Sequence, residues 1–166
     1  MEKIENQVED YLSWQGIWRN GKLVYMELTD QQKQQIKDIG ERFHLKLILL
    51  YGSYAKGTQT SMSDLDVAVL GAKSIDFDVQ LDVYGAVAQV FGDIKRELDL
   101  VVLEKKDPLF LYQVARNSQL LYGNPTDYHE FRAYAFRNYM DSKDLRILEE
   151  KLMKRYQQHL NFAYGR

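Results

Sequence analysis

The stretch that decides the fold is "LLYGSYAKGTQTSMSDLDVAVL", residues 49–70. An apolar run ends at Gly52-Ser53, a polar loop follows, and Asp64 and Asp66 open a second apolar run. Residues two apart in a strand point to the same side. Asp64 and Asp66 therefore share one face, and Leu65 and Val67 share the other. Two carboxylates that close repel each other unless something positive lies between them. A hard divalent cation is the usual answer, since Mg²⁺ takes oxygen ligands and is commonly held by one or two carboxylates plus substrate phosphates. Taken alone, Asp-x-Asp also fits a solvated strand end.

The residues on either side tilt that balance. "LKLILLY", Leu45–Tyr51, is too short and too apolar for an exposed helix and reads as a buried strand. "SYAKG" after it reads as one helical turn ended by Gly57. A glycine lets a phosphate approach the backbone, and free N–H groups at a helix start favour an anion. Ser53 adds a hydroxyl. A phosphate cradle and a metal-ready carboxylate pair thus stand ten residues apart. The third apolar run, "RELDLVVLE", repeats the pattern, with Glu97 and Asp99 on one side. If it neighbours the second, Asp99 completes a three-carboxylate cluster able to hold two cations, which stabilise the attacking and leaving oxygens of a displacement at phosphorus.

Further out, "IWRNGKLVY" has apolar residues on both sides of Asn20-Gly21, the dipeptide of a tight hairpin turn. "NQVEDYLSW" before it reads as a short helix. "LTDQQKQQIKDIGERF" reads as a helix capped by Thr29 or Asp30, with Ile36, Ile39 and Phe43 on one stripe. Residues 77–91 carry Val79, Val83, Ala86, Val87 and Val90 at helical spacing. Beyond the third strand the chain reads as helical throughout. One helix starts near Pro108, a break follows at Gly123 to Pro125, and two more helices cover residues 127–139 and 142–160. The last has Leu145, Leu148, Leu152 and Tyr156 on one stripe. The expected fold is α+β, a small mixed sheet with flanking helices. Its parts are an N-terminal extension (1–28), a core (29–123) and C-terminal helices (124–166).

Composition narrows the function. The chain has 166 residues, 45% of them hydrophobic, which is enough for a proper core in one domain. A net charge of −2 gives no basic face for direct nucleic-acid binding. With no cysteine, thiol catalysis and zinc–thiolate sites are excluded. No apolar run approaches the roughly 18 residues of a membrane span. The start "MEKIENQVEDYL" is acidic and polar, unlike a signal peptide. A cytoplasmic protein is the expected reading. His44, His129 and His159 lack ligand-like spacing and read as surface residues. Aromatic residues crowd the last two helices beyond what one small sheet can cover, which suggests an interface.

"GSYAKGTQTSMSDLD" resembles the signature of the minimal nucleotidyltransferases, small members of the DNA polymerase β-like superfamily: Gly-Ser, ten residues, Asp-x-Asp. The resemblance covers residues 45–122, including the "LLYG" that follows the Pro108 helix. It implies a nucleotidyltransferase fold, ATP as donor and two Mg²⁺ ions. Gly52 and Ser53 would hold the triphosphate, Asp64 and Asp66 both metals, and Asp99 the catalytic one. Asp99 could also take the acceptor's proton. Lys56 sits where the family often has a basic residue, to balance phosphate charge or simply to be solvated. Ser63 would orient Asp64 or cap the turn, while Glu97 has no part in the family pattern and reads as solvated.

The 67 residues after Asp99 (166 − 99) leave little for a dedicated acceptor domain. Within the resembling family, this is the pattern of the antitoxin in HEPN/MNT toxin–antitoxin pairs, which is understood to add AMP to a tyrosine of a helical HEPN toxin. A hetero-oligomer with such a toxin is therefore expected. The chain does not read as the toxin itself. Three residues separate Arg155 from His159, whereas the HEPN pattern has four to six. Two alternatives stay open: an antitoxin that only masks its partner, and a transferase acting on a small antibiotic-like acceptor.

Overall fold

The computed structural model describes residues 17–19, 22–24, 26–92 and 97–165. The short helix expected over "NQVEDYLSW" lies outside them. β1 (Ile17–Arg19) pairs antiparallel with β2 (Lys22–Val24), Trp18 opposite Leu23, as the hairpin reading expects. The Asn20-Gly21 turn itself lies outside the described residues.

A four-stranded mixed sheet forms the centre, in the order β5 (Leu98–Val102), β4 (Leu65–Gly71), β3 (Leu45–Tyr51), β6 (Gln119–Gly123). β3 runs antiparallel to both β4 and β6, and β4 runs parallel to β5. β3 lies in the interior of the sheet and is covered on both faces, which is why "LKLILLY" is a near-continuous apolar run rather than an alternating one. Ile48 and Leu50 face one layer with Val67, Val69, Ile36 and Val87. Leu47 and Leu49 face the other with Ala68, Leu111, Val114 and Phe131.

The first layer is α1 (Asp30–Arg42) and α3 (Phe77–Val90). A capping box starts α1. The Gln32 N–H donates to Thr29 Oγ1, and the Thr29 N–H donates to Gln32 Oε1. Gln32 also donates through Nε2 to the carbonyl of Val90 and so ties the two helices together. The second layer is α4 (Pro108–Arg116) and α5 (Pro125–Asp141), each beginning with proline just behind an Asp or Asn cap. α6 (Lys143–Tyr164) follows α5 and buries none of its residues.

The chain beyond β5 is not helical throughout. "QLLYG" forms the edge strand β6, a correction to the all-helical expectation for this region. Five half-buried residues carry no clean period, and the pairing that makes them a strand comes from β3, some seventy residues earlier in the sequence. β6 also anchors the segment before α1. The Met26 N–H donates to Gln119 Oε1, and Gln119 Nε2 donates back to the Met26 carbonyl. Among the described residues no helix is long and apolar enough to cross a membrane.

Candidate active site

β3 ends at Tyr51, and the chain turns at once into the one-turn helix α2 (Gly52–Lys56). Gly52 has φ +69°, a left-handed conformation that side chains resist. A Cβ there would also stand 1.9 Å from Asp66 Oδ2. The glycine is thus required twice, by its backbone angle and by the carboxylate lying against it. The Ser53 N–H donates to that same carboxylate. Gly57, at φ +61°, ends α2 with a left-handed cap, at the residue where the sequence reading ended the turn.

The polar loop then returns the chain to β4. Ser63 spends its hydroxyl on the turn: Oγ accepts from the Thr60 N–H at 2.9 Å. Asp64 is exposed and sits one residue before β4, which begins at Leu65 rather than in the middle of the carboxylate pair. Asp66 is half-buried inside the strand. In β5, Asp99 pairs in register with Asp66, and across β3 Tyr51 pairs with it too. Neighbours in register point to the same face, so Tyr51, Asp66 and Asp99 stand abreast on three adjacent strands. The condition set by the sequence, that the second and third strands be neighbours, is met. Glu97 lies exposed just outside β5, and its carbonyl accepts the Leu65 N–H at 2.9 Å.

The electrostatics follow from this crowding. Burial raises the Asp66 carboxyl above its ordinary value, and the charges of Asp99 and Asp64 add to the effect. The Ser53 N–H and the exposed Lys56 ammonium partly offset it. Tyr51 is raised well above the usual phenol range, first by burial, then by Asp99 and Asp66. The site is an acidic strand-end cluster whose net repulsion asks for positive charge.

Among the described residues no group of three acidic or histidine side chains is disposed to hold a metal ion as it stands. The donor set nonetheless fits Mg²⁺: all donors are carboxylate oxygens, and the charges of Asp99 and Asp64 both bear on Asp66. Asp64, Asp66 and Asp99 are the residues that would hold it. His44, His129 and His159 are exposed, as expected, and stand apart from the site in the sequence. A cleft of about 900 Å³ is lined by Lys46, Leu120, Gly123 and Asp127, at the far end of β3. It has none of the signature residues and is not the seat of this chemistry. The residue that sequence reasoning passed over is Tyr51. It was read only as the last position of an apolar strand, though its place directly before Gly52 puts it on the same face as Asp66.

A mixed sheet that presents carboxylates from two parallel neighbours beside a Gly-Ser turn defines a class, the nucleotidyltransferase fold. Residues 34–127 match the model of the "Polymerase beta, Nucleotidyltransferase" family, and the chain belongs to that family. It is 34% identical over 83 residues to the protein adenylyltransferase MntA of Shewanella oneidensis, a match spanning 50% of this chain and 58% of that relative's length. Among solved structures, the fold is similar to a crystallised toxin–antitoxin with AMP-PNP (25% identity, TM-score 0.60, 73% of this chain and 98% of that one). It is also similar to a chain of the tri-AMPylated Shewanella oneidensis HEPN toxin in complex with MNT antitoxin. There the identity is 21% and the TM-score 0.56, covering 74% of this chain and 97% of that one, and the likeness is one of fold.

Proposed function

We propose that the protein is a Mg²⁺-dependent protein adenylyltransferase, the antitoxin of a toxin–antitoxin pair, which moves AMP from ATP to a tyrosine hydroxyl of a helical HEPN-type toxin. The observation that carries this reading is the register of Asp66 with Asp99 beside a glycine whose added Cβ would clash with Asp66. Such a site binds charge at phosphorus, and the family to which the chain belongs uses it for nucleotidyl transfer.

In this reading Gly52 and Ser53 receive the triphosphate, and Lys56 balances part of its charge. Bound at Asp64, Asp66 and Asp99, Mg²⁺ would supply neutralisation of the α-phosphate and of the departing pyrophosphate. The acceptor oxygen forms a bond to the α-phosphorus while the bond from that phosphorus to the bridging oxygen of the β-phosphate breaks. The acceptor proton passes to Asp99, and pyrophosphate carries the leaving electron pair. Asp99 suits that role because it is exposed, whereas Asp66 is engaged by the Ser53 N–H.

A protein acceptor is favoured over a small molecule by the surface around α5 and α6. Tyr134, Phe136, Leu148, Leu152 and Tyr156 are all exposed, and exposed large apolar side chains of this kind suit a protein partner. The test is to incubate the protein, ATP and Mg²⁺ with the product of the neighbouring reading frame, then weigh that product intact. Mass gains in steps of one AMP, absent with Asp66→Asn, are expected. An unmodified neighbour that Asp66→Asn still neutralises would replace transfer by masking.

A further inference from the structure

Asp66 and Asp99 stand near the starts of the parallel pair β4 and β5. The other end of β4, at Gly71, lies about 17 Å along the strand from Asp66. A second cleft, of about 600 Å³, opens at that end, beside the one that Lys46 and Asp127 also line. Its volume falls among small-molecule sites, which run from about 300 to 1,000 Å³. None of Gly52, Ser53, Asp64, Asp66 and Asp99 lines it.

The loop that leaves β4, Gly71-Ala72-Lys73-Ser74, forms part of its wall and is held from two sides. The Gly71 N–H donates to Glu104 Oε1 at 3.0 Å, and the Ala72 N–H donates to the His44 carbonyl at 3.0 Å. A Cβ on Gly71 would stand 2.2 Å from the Lys73 carbonyl oxygen. Among the described residues the non-glycine positions with positive φ are His44, at 51°, and Lys105, at 59°. The first is one of the two clamps, and the second adjoins the other. Such conformations persist where the surroundings over-determine them, and they concentrate at binding sites. Glu104 keeps its hold on Gly71 although its Oε2 is buried with no hydrogen-bond partner among the described residues, which costs stability.

The loop so held carries unspent donors. Among the described residues the N–H groups of Lys73 and Ser74, the Ser74 hydroxyl and the Lys73 ammonium have no partner. The ammonium groups of Lys105 and Lys106, which line the same cleft, are exposed and unpaired as well. Of the carboxylates there, Asp127 and Glu130 are spent on Lys46, at 3.0 and 3.7 Å. Three free ammonium groups are thus set against Glu104 alone, in a chain whose net charge is −2. Leu103, Leu111 and Phe131 add buried apolar wall, and Tyr134 is half exposed beside them.

We infer that this cleft is a second ligand site, made for a phosphate ester with an apolar or aromatic body. The phosphate would take the donors of Lys73 and Ser74 with the charge of Lys105 and Lys106, and the body would lie against Phe131 and Tyr134. Amide, hydroxyl and ammonium donors together suit an anion, and the apolar wall distinguishes an ester from the bare ion. The inference stands apart from the transferase reading, because it uses no residue of the carboxylate cluster.

The experiment is isothermal titration calorimetry of the full-length chain with AMP and, separately, with inorganic phosphate. EDTA is present throughout, so that no cation fills the carboxylate cluster. AMP should bind in a single site and more tightly than inorganic phosphate. Lys73→Gln and Lys106→Gln should each weaken AMP about tenfold, the worth of one charge-assisted contact. Both lysines are exposed, so the variants should melt with wild type. Lys151→Gln removes the same charge from α6, outside the cleft, and should leave AMP affinity unchanged. The proposal is overturned if AMP does not bind, or if its affinity survives Lys73→Gln, which would seat it elsewhere. An equal loss in Lys151→Gln would reduce the effect to bulk charge and overturn it too, and inorganic phosphate binding as tightly as AMP would strike out the ester.

Discussion

The β3–α2–β4 turn and the helix α6 use the same residue types to opposite ends. β3 buries five of its seven residues and ends at Tyr51, on the sheet face it shares with Asp66. α6 has 22 residues and buries none, although Leu145, Leu148, Leu152 and Tyr156 form a stripe along it. At the start of the turn Gly52 lies so close to the Asp66 carboxylate that one added carbon would clash. On α6 the described contacts are local: Lys154 with Glu150 at 2.6 Å, and Arg146, whose guanidinium lies 3.8 Å from the Tyr139 ring centroid and donates to the Tyr139 carbonyl. The difference separates a region specified by its own chain from one whose apolar face is left for something else. It also ranks the expected effects of mutation.

The largest effect belongs to the carboxylates. Asp64→Asn or Asp66→Asn should abolish transfer, with a loss of about a thousandfold or more, because each removes a charge that holds the reaction's cation. Neither should unfold the protein, since both replace a repelling carboxylate by a neutral amide of the same shape. Transfer from labelled ATP and thermal melting measure the two halves of this expectation. Activity retained in both variants would dissolve the contrast between a specified site and an unspecified face.

Gly52→Ala comes next. The added Cβ would lie 1.9 Å from Asp66 Oδ2, and alanine resists the φ of +69°. The strain is about 1–3 kcal/mol. In a chain of this size that lowers the melting temperature by about 2–4 °C for each kcal/mol. A carboxylate pushed aside by about 1 Å should cost roughly a hundredfold in rate. Asp66→Gly in the same chain removes the clashing carboxylate but not the backbone strain, so it should recover part of the melting temperature and none of the rate. Failure to recover would mean that the backbone angle alone decides the loss.

A smaller, pH-dependent effect follows from Asp66. Its carboxyl is raised in the folded state by burial and by Asp99 and Asp64, so the folded chain holds that proton more tightly than the unfolded chain does. Below the ordinary value of 3.8 both states are protonated and Asp66 makes no difference. As the pH climbs through the raised value, the ionised carboxylate becomes a penalty that persists at neutrality. The stability of Asp66→Asn minus that of wild type should therefore grow as pH rises from about 4 to 7 without cation, and shrink again when Mg²⁺ and AMP-PNP are added. Chemical denaturation at a series of pH values reads this directly. A difference that stays flat with pH would show that Asp66 is not under repulsive load.

The same contrast explains what was legible in the sequence. Gly52-Ser53, the turn ended by Gly57, and the aspartates could be read because their constraints are local: a spacing, a glycine, a two-residue period. Asp99 needed one further condition, adjacency of two strands, and the register of β4 with β5 met it. β6 was misread because an edge strand of five half-buried residues owes its state to β3, not to its own pattern. "LLYG" between a helix stop and Gly123 was the signal available. Tyr51 was passed over because an aromatic residue at the end of an apolar run looks like core, and only the register reveals which face it joins. The exposure of α6 was half legible. Its stripe was visible, and the excess of aromatics hinted at an interface, but a stripe records only that something apolar should cover it.

That last point is the smallest expected effect and the most discriminating. Replacing Leu148 and Leu152 together by Gln removes two large apolar side chains that are each about half exposed, 51% and 53%. A substitution at such a surface position usually changes stability by no more than about 0.5 kcal/mol. By contrast Leu49→Ala, at a fully buried position of β3, should cost about 2–5 kcal/mol. Melting curves and far-ultraviolet circular dichroism of the two variants therefore test the contrast itself. If the α6 double variant melts with wild type, the stripe carries no load inside this chain. In the antitoxin reading it should then keep its Mn²⁺·nucleotide affinity while losing co-purification with the partner. A loss of many degrees would instead place the stripe against another part of this chain, and the two regions would no longer be opposites.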